Sequence, residues 1–260
     1  MIEVHRGDSP VVLGLPHTGT SVRQDILEQL NDGGRTLADT DWHVHELYDG
    51  LLDSVTTVRT SIHRYVIDAN RDPRGVSLYP GANTTTLCPT TDFNGAPIYR
   101  DGQEPDDAEI VRRRALFHVP YHAALQAELE RVRKNHGHAV LYDCHSIRSR
   151  IPFLFEGKLP DFSIGTYDGA TCDPIIETAV VKLCEGADGY STILNGRFKG
   201  GWTTRHYGRP AEGLHAIQME LAQSSYMQER PPWIYCEDKA TRLRLHLETI
   251  LASLSEWRPR

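Results

Sequence analysis

The chain has 260 residues, a formal net charge of −7, 39% hydrophobic residues and 24% charged residues, which suits one large α/β domain or two small ones. An acidic chain without a basic stripe argues against a nucleic-acid-binding protein, and its apolar runs are too short for a membrane span. Its five cysteines are widely spaced without a CxxC pair, and its N-terminus lacks a signal-peptide core, so we expect a cytoplasmic protein with reduced thiols.

Short apolar runs that end in polar turns predict the strands. They lie at 11–16, 55–60, 64–69, 139–146, 163–167, 190–198 and 214–221. Helical spacing of apolar residues predicts helices at 21–30, 42–52, 104–137, 175–185 and 238–257. Pro120 should kink or divide the longest helix. Strands alternating with helices favour a single α/β domain over 1–260, with a mixed, largely parallel sheet flanked by helices.

Residues 74–102 are rich in Gly, Pro, Thr and Asn and show no clear periodicity. A loop of this length inside a compact domain usually covers or binds a ligand. We therefore expect this segment to be a lid or a substrate-binding loop.

The run AVLYDCHS at 139–146 predicts a buried strand with polar residues at its carboxyl end. Side chains alternate across a strand, so Asp143 and His145 share one face while Cys144 points to the other. That alternation excludes a Cys144–His145 catalytic pair, because the two side chains point apart. A carboxylate and an imidazole on one face can instead form part of a metal site.

Polar residues at the carboxyl ends of strands predict a catalytic zinc site, since open α/β sheets bind ligands at that edge. His17 and His145, together with one carboxylate, would provide three ligands and leave a position open for water. Asp41 is the preferred third ligand and Asp39 the alternative, while Asp143 could be a ligand or support one. Both Asp39 and Asp41 could instead be helix N-caps.

Glu220 lies in the otherwise apolar strand HAIQMEL, where an unpaired carboxylate is costly to bury. A general base has a use for such a charge; the alternative is a strand-end carboxylate in solvent. Arg64, Arg71 and Arg205 are candidate anion-binding residues, because guanidinium groups hold carboxylates in a bidentate manner.

The chain resembles the N-formylglutamate amidohydrolases (N-formylglutamate deformylases), a family of enzymes that act in one bacterial route of histidine breakdown. The matching segments are LPHTGT at 15–20, DTDWH at 39–43, DANR at 68–71, YDCHSIRSRIP at 142–152, LPDFSIGT at 159–166, NGRFKGGWTTRHYG at 195–208 and QMELAQ at 218–223. That family is similar to zinc carboxypeptidases and aspartoacylases, which implies a carboxypeptidase-like fold and a bound zinc ion. Thr20 departs from those relatives, which carry a ligand glutamate there.

The resemblance implies that His145 is a metal ligand, that Glu220 is the base and that Asn70 and Arg71 grip the α-carboxylate of a small dianionic substrate. It leads us to expect a zinc-dependent amidohydrolase that converts N-formyl-L-glutamate and water to L-glutamate and formate. We assign Arg64 to the formyl carbonyl.

The side-chain carboxylate of the substrate needs a second cation, and Arg205 is our first choice, with Arg197 or Lys199 as alternatives. Two other functions stay open at this point. One is hydrolysis of another N-acyl amino acid or of a C-terminal peptide bond, and the other is a catalytically silent metal- or ligand-binding protein. Glu220 argues against the silent protein, which has no need of a base.

Overall fold

Seven strands and eight α-helices form the regular structure of residues 1–78 and 81–259, which a computed structural model of the chain describes. The strands are β1 (Ile2–His5), β2 (Val11–Leu15), β3 (Thr56–Thr60), β4 (Ala139–Ile147), β5 (Phe162–Gly165), β6 (Thr192–Leu194) and β7 (Leu214–Ala222). The helices are α1 (Gln24–Leu27), α2 (Asp32–Arg35), α3 (Val44–Tyr48), α4 (Asp107–Arg113), α5 (Val119–His136), α6 (Pro174–Glu185), α7 (Trp202–Tyr207) and α8 (Glu237–Glu256).

The strands form one sheet in the order β1-β3-β2-β4-β7-β5-β6. The central strands β3, β2, β4 and β7 are parallel, whereas β1 pairs with β3, and β5 with β7, in antiparallel fashion. The register of β4 with β7 places His145 opposite Glu220 and Asp143 opposite Gln218. The predicted single α/β domain with a mixed, largely parallel sheet is confirmed.

Helices bury both faces of this sheet. Alternate residues of β4 and β7, such as Tyr142 and Met219, pack in a core with side chains of α3, α6 and α8. The residues between them, such as Leu141 and Ala216, pack in a second core with α5. Because the polar end of β4 alternates in the same way, its Asp143 and His145 lie on the α5 side of the sheet.

The predicted strand at 64–69 is wrong, since these residues form a turn and irregular backbone. Its apolar members Val66 and Ile67 are buried against Ile26, Leu87 and Phe117 rather than in the sheet. A short apolar run predicts burial, and here a loop cluster satisfies it without a strand.

Three other predicted elements are shorter than the sequence indicated, and three short ones were missed. The helix at 21–30 reduces to α1, because its two ends form bridges with Ile62 and Tyr99. The helix at 42–52 reduces to α3, since its N-terminal flank, His43, has left-handed backbone (φ 60°). The strand at 190–198 reduces to β6, and β1, α2 and α7 were not predicted.

The long helix at 104–137 is divided near Pro120, as predicted. Between α4 and α5 lies a π-helical turn, Arg114–His118, in which the Val119 N–H bonds to the Arg114 carbonyl. Pro120 has no N–H to continue the α-helical ladder, and the wider turn just before it accommodates this.

Within 74–78 and 81–102 the backbone is irregular, and its only strand-like pairings are the bridges Leu30–Tyr99 and Thr91–Pro97. Residues 79 and 80 of the predicted lid lie outside the described residues. In the described part of the chain, no helix combines the length and apolarity needed to cross a membrane.

Candidate active site

A buried group of three donor side chains lies at the carboxyl edge of the parallel strands. His17 follows β2 by two residues, His145 lies near the end of β4, and Asp41 lies in the turn before α3. The Nδ1 atoms of the two histidines are 3.1 Å apart. Oδ2 of Asp41 lies 3.7 Å from Nδ1 of His17 and 3.3 Å from Nδ1 of His145.

Backbone hydrogen bonds hold these segments together. The Asp41 N–H donates to the His17 carbonyl at 3.1 Å, and the Ser146 N–H donates to Oδ2 of Asp41 at 3.0 Å. The three donor residues, although distant in the sequence, are therefore fixed to one another by the protein itself.

The outer nitrogen of each imidazole faces a second carboxylate. Nε2 of His17 donates to Oδ1 of Asp68 at 2.7 Å, and Nε2 of His145 lies 3.2 Å from Oδ1 of Asp143. Histidine ligands commonly donate their second N–H to a carboxylate, which leaves the inner nitrogen free to bind a metal. Both Nδ1 atoms here point to the common centre.

Charge balance favours ionised carboxylates at this centre. Burial opposes ionisation of Asp68, but the charges of Arg71, His17 and Arg64 outweigh it and hold its pKa well below the usual range. Burial likewise opposes ionisation of Asp41, and its contacts with His145 and His17 lower its pKa. Oδ1 of Asp41 is buried and receives no hydrogen bond from the described residues.

The group His17, Asp41 and His145 could therefore bind a metal ion, because its donor atoms all lie within 4.8 Å of one another. Asp39 lies apart from it: its Oδ2 accepts hydrogen bonds from the Tyr65 hydroxyl at 2.9 Å and the Phe93 N–H at 2.8 Å. Neither Asp39 nor Asp41 makes the predicted alternative contact, an N-cap of α3, whose N-terminal flank is His43.

Glu220 lies on β7 opposite His145, and its side chain faces the same pocket. Oε2 accepts a hydrogen bond from Nε2 of Gln218 at 3.1 Å, and Oε1 of Gln218 accepts the Gly201 N–H at 2.6 Å. The alternative of a solvated carboxylate does not apply, because Glu220 is buried. Burial raises its pKa to about 8, which suits a group that exchanges protons near neutral pH.

One pocket of about 590 Å³, counted with its open mouth, contains these groups together with several arginine and asparagine side chains. Arg64, Asn70 and Arg71 line it, and they come from a loop rather than from the predicted strand at 64–69. Nη1 of Arg64 lies 3.6 Å from Oδ1 of Asp41. Nδ2 of Asn70 lies 3.2 Å from Nε2 of His145.

Arg205 lies outside the lining of this pocket. Its guanidinium carbon lies 4.2 Å from the centre of the Tyr167 ring, and its Nε donates to the Gly200 carbonyl at 2.9 Å. Lys199 forms an ion pair with Asp168 at 3.1 Å. Arg197 does line the pocket, and it donates to the carbonyls of Leu154 and Asn83, each at 3.0 Å.

Sequence reasoning missed two residues that the structure places beside the donor group. Asp68 contacts His17, and Thr204 donates from its hydroxyl to Oδ2 of Asp143 at 3.0 Å. The only sequence signal for Asp68 was its place two residues before Asn70 in DANR. Thr204 lies in the matching segment at 195–208, but α7 was not predicted, so nothing in the sequence placed its side chain beside Asp143.

Comparisons with known proteins agree with the motif resemblance. A family model described as N-formylglutamate amidohydrolase matches residues 9–227. The N-formylglutamate deformylases of Pseudomonas putida and Pseudomonas aeruginosa are 45% and 43% identical to this chain over 258 residues, which is 99% of this chain and 96% and 97% of theirs. A crystal structure of N-formylglutamate amidohydrolase from Ralstonia eutropha JMP134 superposes with a TM-score of 0.79 at 28% identity, over 98% of this chain and 97% of that chain. The chain belongs to the N-formylglutamate amidohydrolase family.

Proposed function

We propose that this protein hydrolyses N-formyl-L-glutamate to L-glutamate and formate, with one divalent metal ion, zinc, bound by His17, Asp41 and His145. The observation that carries the proposal is a single pocket that combines this donor group with a buried carboxylate and three arginines. The two Pseudomonas relatives are named N-formylglutamate deformylases, and the activity that their names state supports the same assignment for this chain.

Zinc suits the donor set, since two imidazole nitrogens and one carboxylate oxygen are typical of catalytic zinc sites with an open position. The buried Oδ1 of Asp41, which lacks a hydrogen bond from the described residues, fits a cation at this point. When bound, such an ion supplies a Lewis acid that polarises a carbonyl group and acidifies water.

Glu220 serves as the general base in this proposal. Its carboxylate accepts a proton from the water that attacks the formyl carbon, and it returns that proton to the amide nitrogen that leaves as the amino group of glutamate. Its pKa of about 8 makes both transfers accessible near neutral pH. Gln218 donates to Oε2 and so orients the carboxylate.

The arginines of the pocket bind the charges of the substrate. Asn70 and Arg71 hold the α-carboxylate, and Arg64, beside the donor group, stabilises the negative charge that develops on the formyl oxygen. We assign the side-chain carboxylate to Arg197 rather than Arg205, because Arg197 lines the pocket whereas Arg205 stacks on Tyr167.

The loop before α4 contributes to binding. Asn83, Thr84, Thr85 and Phe93 line the pocket, which supports a substrate-binding role for the segment around them. Nε and Nη2 of Arg71 donate to the carbonyl and hydroxyl of Thr85 at 3.0 and 2.9 Å. The position of Arg71 thus depends on this loop.

We also assign this hydrolysis to the breakdown of histidine in the cytoplasm. The family resemblance supports the pathway, and the five cysteines, all without disulfide bonds, suit a reducing compartment.

A hydrolysis panel tests the proposal. Purified protein is assayed for turnover of N-formyl-, N-acetyl-, N-succinyl- and N-carbamoyl-derivatives of glutamate and aspartate, before and after removal and return of zinc. We expect the highest kcat/KM for N-formyl-L-glutamate and loss of turnover on metal removal. A preference for another acyl group would show a related hydrolase instead, and no turnover of any compound would leave a binding protein.

A further inference from the structure

We infer that His118 and His122 are positioning residues that fix the Asn70–Arg71 backbone for recognition of the substrate's α-carboxylate. This inference rests on the proposed function, in which that segment holds the α-carboxylate. The juxtaposition behind it is simple: two imidazoles on one helix contact the two carbonyls on either side of Asn70.

The two histidines contact the backbone of the residues directly before and after Asn70. Nε2 of His122 lies 2.8 Å from the Ala69 carbonyl, and Nε2 of His118 lies 3.1 Å from the Arg71 carbonyl. A carbonyl oxygen can only accept, so both histidines carry a proton on Nε2. We call this pair of contacts the histidine clamp.

The segment that the clamp holds has no regular structure of its own. Residues 68–70 are buried outside any strand or helix, so their backbone groups need partners from elsewhere. The Asp68 N–H donates to the Leu87 carbonyl, and the Asn70 N–H donates to Oδ1 of Asp68. The carbonyls of Ala69 and Arg71 depend on the two histidines.

The helix geometry places the two histidines together at this point. His118 ends the π-helical turn before Pro120, and His122 lies one turn later, so their ring centroids are 4.3 Å apart. Single π turns within α-helices often occur at functional sites.

The other side of Asn70 is held equally firmly. Oδ1 of Asn70 accepts the Thr203 N–H at 2.8 Å, and a Cβ at Gly201 would overlap the Asn70 side-chain amide. Trp202 lies between these two residues in sequence and packs edge-on against His122, with ring centroids 4.7 Å apart. Asn70 is therefore enclosed between α7 and the clamp, which leaves its backbone little freedom.

The consequence concerns selectivity more than turnover. The two histidines contact the Ala69 and Arg71 carbonyls and not the donor group or Glu220. Loss of the clamp therefore displaces Asn70 and Arg71 first, and it reaches the donor group only through the Asn70 amide, which lies 3.2 Å from Nε2 of His145. Displacement of a binding group by about 1 Å can cost about a hundredfold in rate. That loss should apply to substrates with an α-carboxylate and spare those without one.

Matched substitutions test this. Glutamine can place an amide N–H near the position of imidazole Nε2, whereas asparagine reaches only to the position of Nδ1. His118→Asn and His122→Asn should therefore break the clamp, and His118→Gln and His122→Gln should keep it, with polar side chains in both sets. Each is assayed on N-formyl-L-glutamate and on N-formyl-L-isoglutamine, whose α-carboxylate is an amide.

We expect the asparagine variants to raise KM and to lower kcat/KM for N-formyl-L-glutamate about 10- to 100-fold, with a much smaller loss on the α-amide and recovery in the glutamine variants. Equal losses on both substrates, or equal behaviour of asparagine and glutamine, would show a merely structural role and overturn the inference. A wild-type protein that does not hydrolyse N-formyl-L-glutamate would refute the proposed function instead, and circular dichroism identifies any variant that is unfolded. For such a variant the glutamine substitution at the same position still decides, because a glutamine variant that loses the preference for the α-carboxylate contradicts the clamp.

Discussion

Replacing Arg197 with alanine should remove the preference of the enzyme for a charged side chain on its substrate. Arg197 donates from Nε and Nη2 to two loop carbonyls, so its guanidinium is oriented before substrate arrives. A charge-assisted hydrogen bond to a carboxylate contributes about 1.5–3 kcal/mol. At about 1.4 kcal/mol per factor of ten, its loss should lower kcat/KM about 10- to 150-fold. Because Arg197 is only half-buried, we expect the lower part of this range.

The assay follows formate release and measures each variant on two substrates. N-formyl-L-glutamate and N-formyl-L-glutamine differ only in the side-chain charge, so Arg197→Ala should affect the first substrate strongly and the second weakly. Arg197→Lys should behave like the alanine variant, since an ammonium group cannot reproduce the planar fork or both carbonyl contacts.

The same measurement on Arg205→Ala tests the assignment made from sequence. Arg205 stacks on Tyr167 outside the pocket lining, so its removal should change both substrates alike. Loss of the preference for the charged side chain in Arg205→Ala, with the preference retained in Arg197→Ala, would refute the assignment of Arg197.

Three further predictions follow from the site and its surroundings. Glu220→Gln should keep metal and fold but lose about 10²–10⁴-fold in kcat, and near-normal turnover would exclude it as the base. Metal analysis should show loss of zinc in His145→Ala and Asp41→Ala but full occupancy in Asp39→Ala. The Asp39 variant should instead lose about 1–3 kcal/mol of stability, because the hydrogen bonds from Tyr65 and Phe93 are broken. If zinc is retained in Asp41→Ala and lost in Asp39→Ala, Asp39 is the third ligand. Burial lowers the pKa of His122 from 6.5 to about 3, so the unfolded chain binds its proton first as pH falls, and stability declines below pH 6.5. Denaturant unfolding should show about 2 kcal/mol of this decline between pH 7.5 and 5, and His122→Gln should lack that part; an unchanged pH dependence would contradict the buried neutral imidazole.

Sequence periodicity identified the elements whose burial is decided by the sheet itself. β4 and β7 are buried along their whole length, and their apolar runs were long enough to be recognised as strands. The run at 64–69 carried the same signal, but Val66 and Ile67 pack in a loop cluster with Phe117. A short apolar run shows that a segment is buried and not what it is buried against.

In the candidate site, too, the residues near strand ends could be predicted from the sequence, whereas the contacts of those placed by irregular segments could not. His17, His145 and Glu220 were predicted because polar residues at strand ends stand out in apolar surroundings. Asn70 and Arg71 were predicted in the same way, from a strand that is not present, and the motif resemblance added their role in binding a carboxylate. The choice between Arg197 and Arg205 depends on a loop and on the short helix α7, neither of which has a clear periodic signal in the sequence. Eight residues separate the two arginines, yet one lines the pocket and the other stacks on a ring outside it.

The hydrogen bonds that join the donor segments have a consequence for metal exchange. The Asp41 N–H donates to the His17 carbonyl, and the Asp41 carboxylate accepts the Ser146 N–H, so both hydrogen bonds join protein groups to protein groups. In a zinc finger the chain is unfolded until metal arrives, so folding and binding are one event. Here hydrogen bonds between protein groups join the donor segments, so a chelator should yield a folded apoprotein that accepts zinc or another divalent ion directly, without denaturation and refolding. Reconstitution with different metals is thus an experiment that this architecture allows.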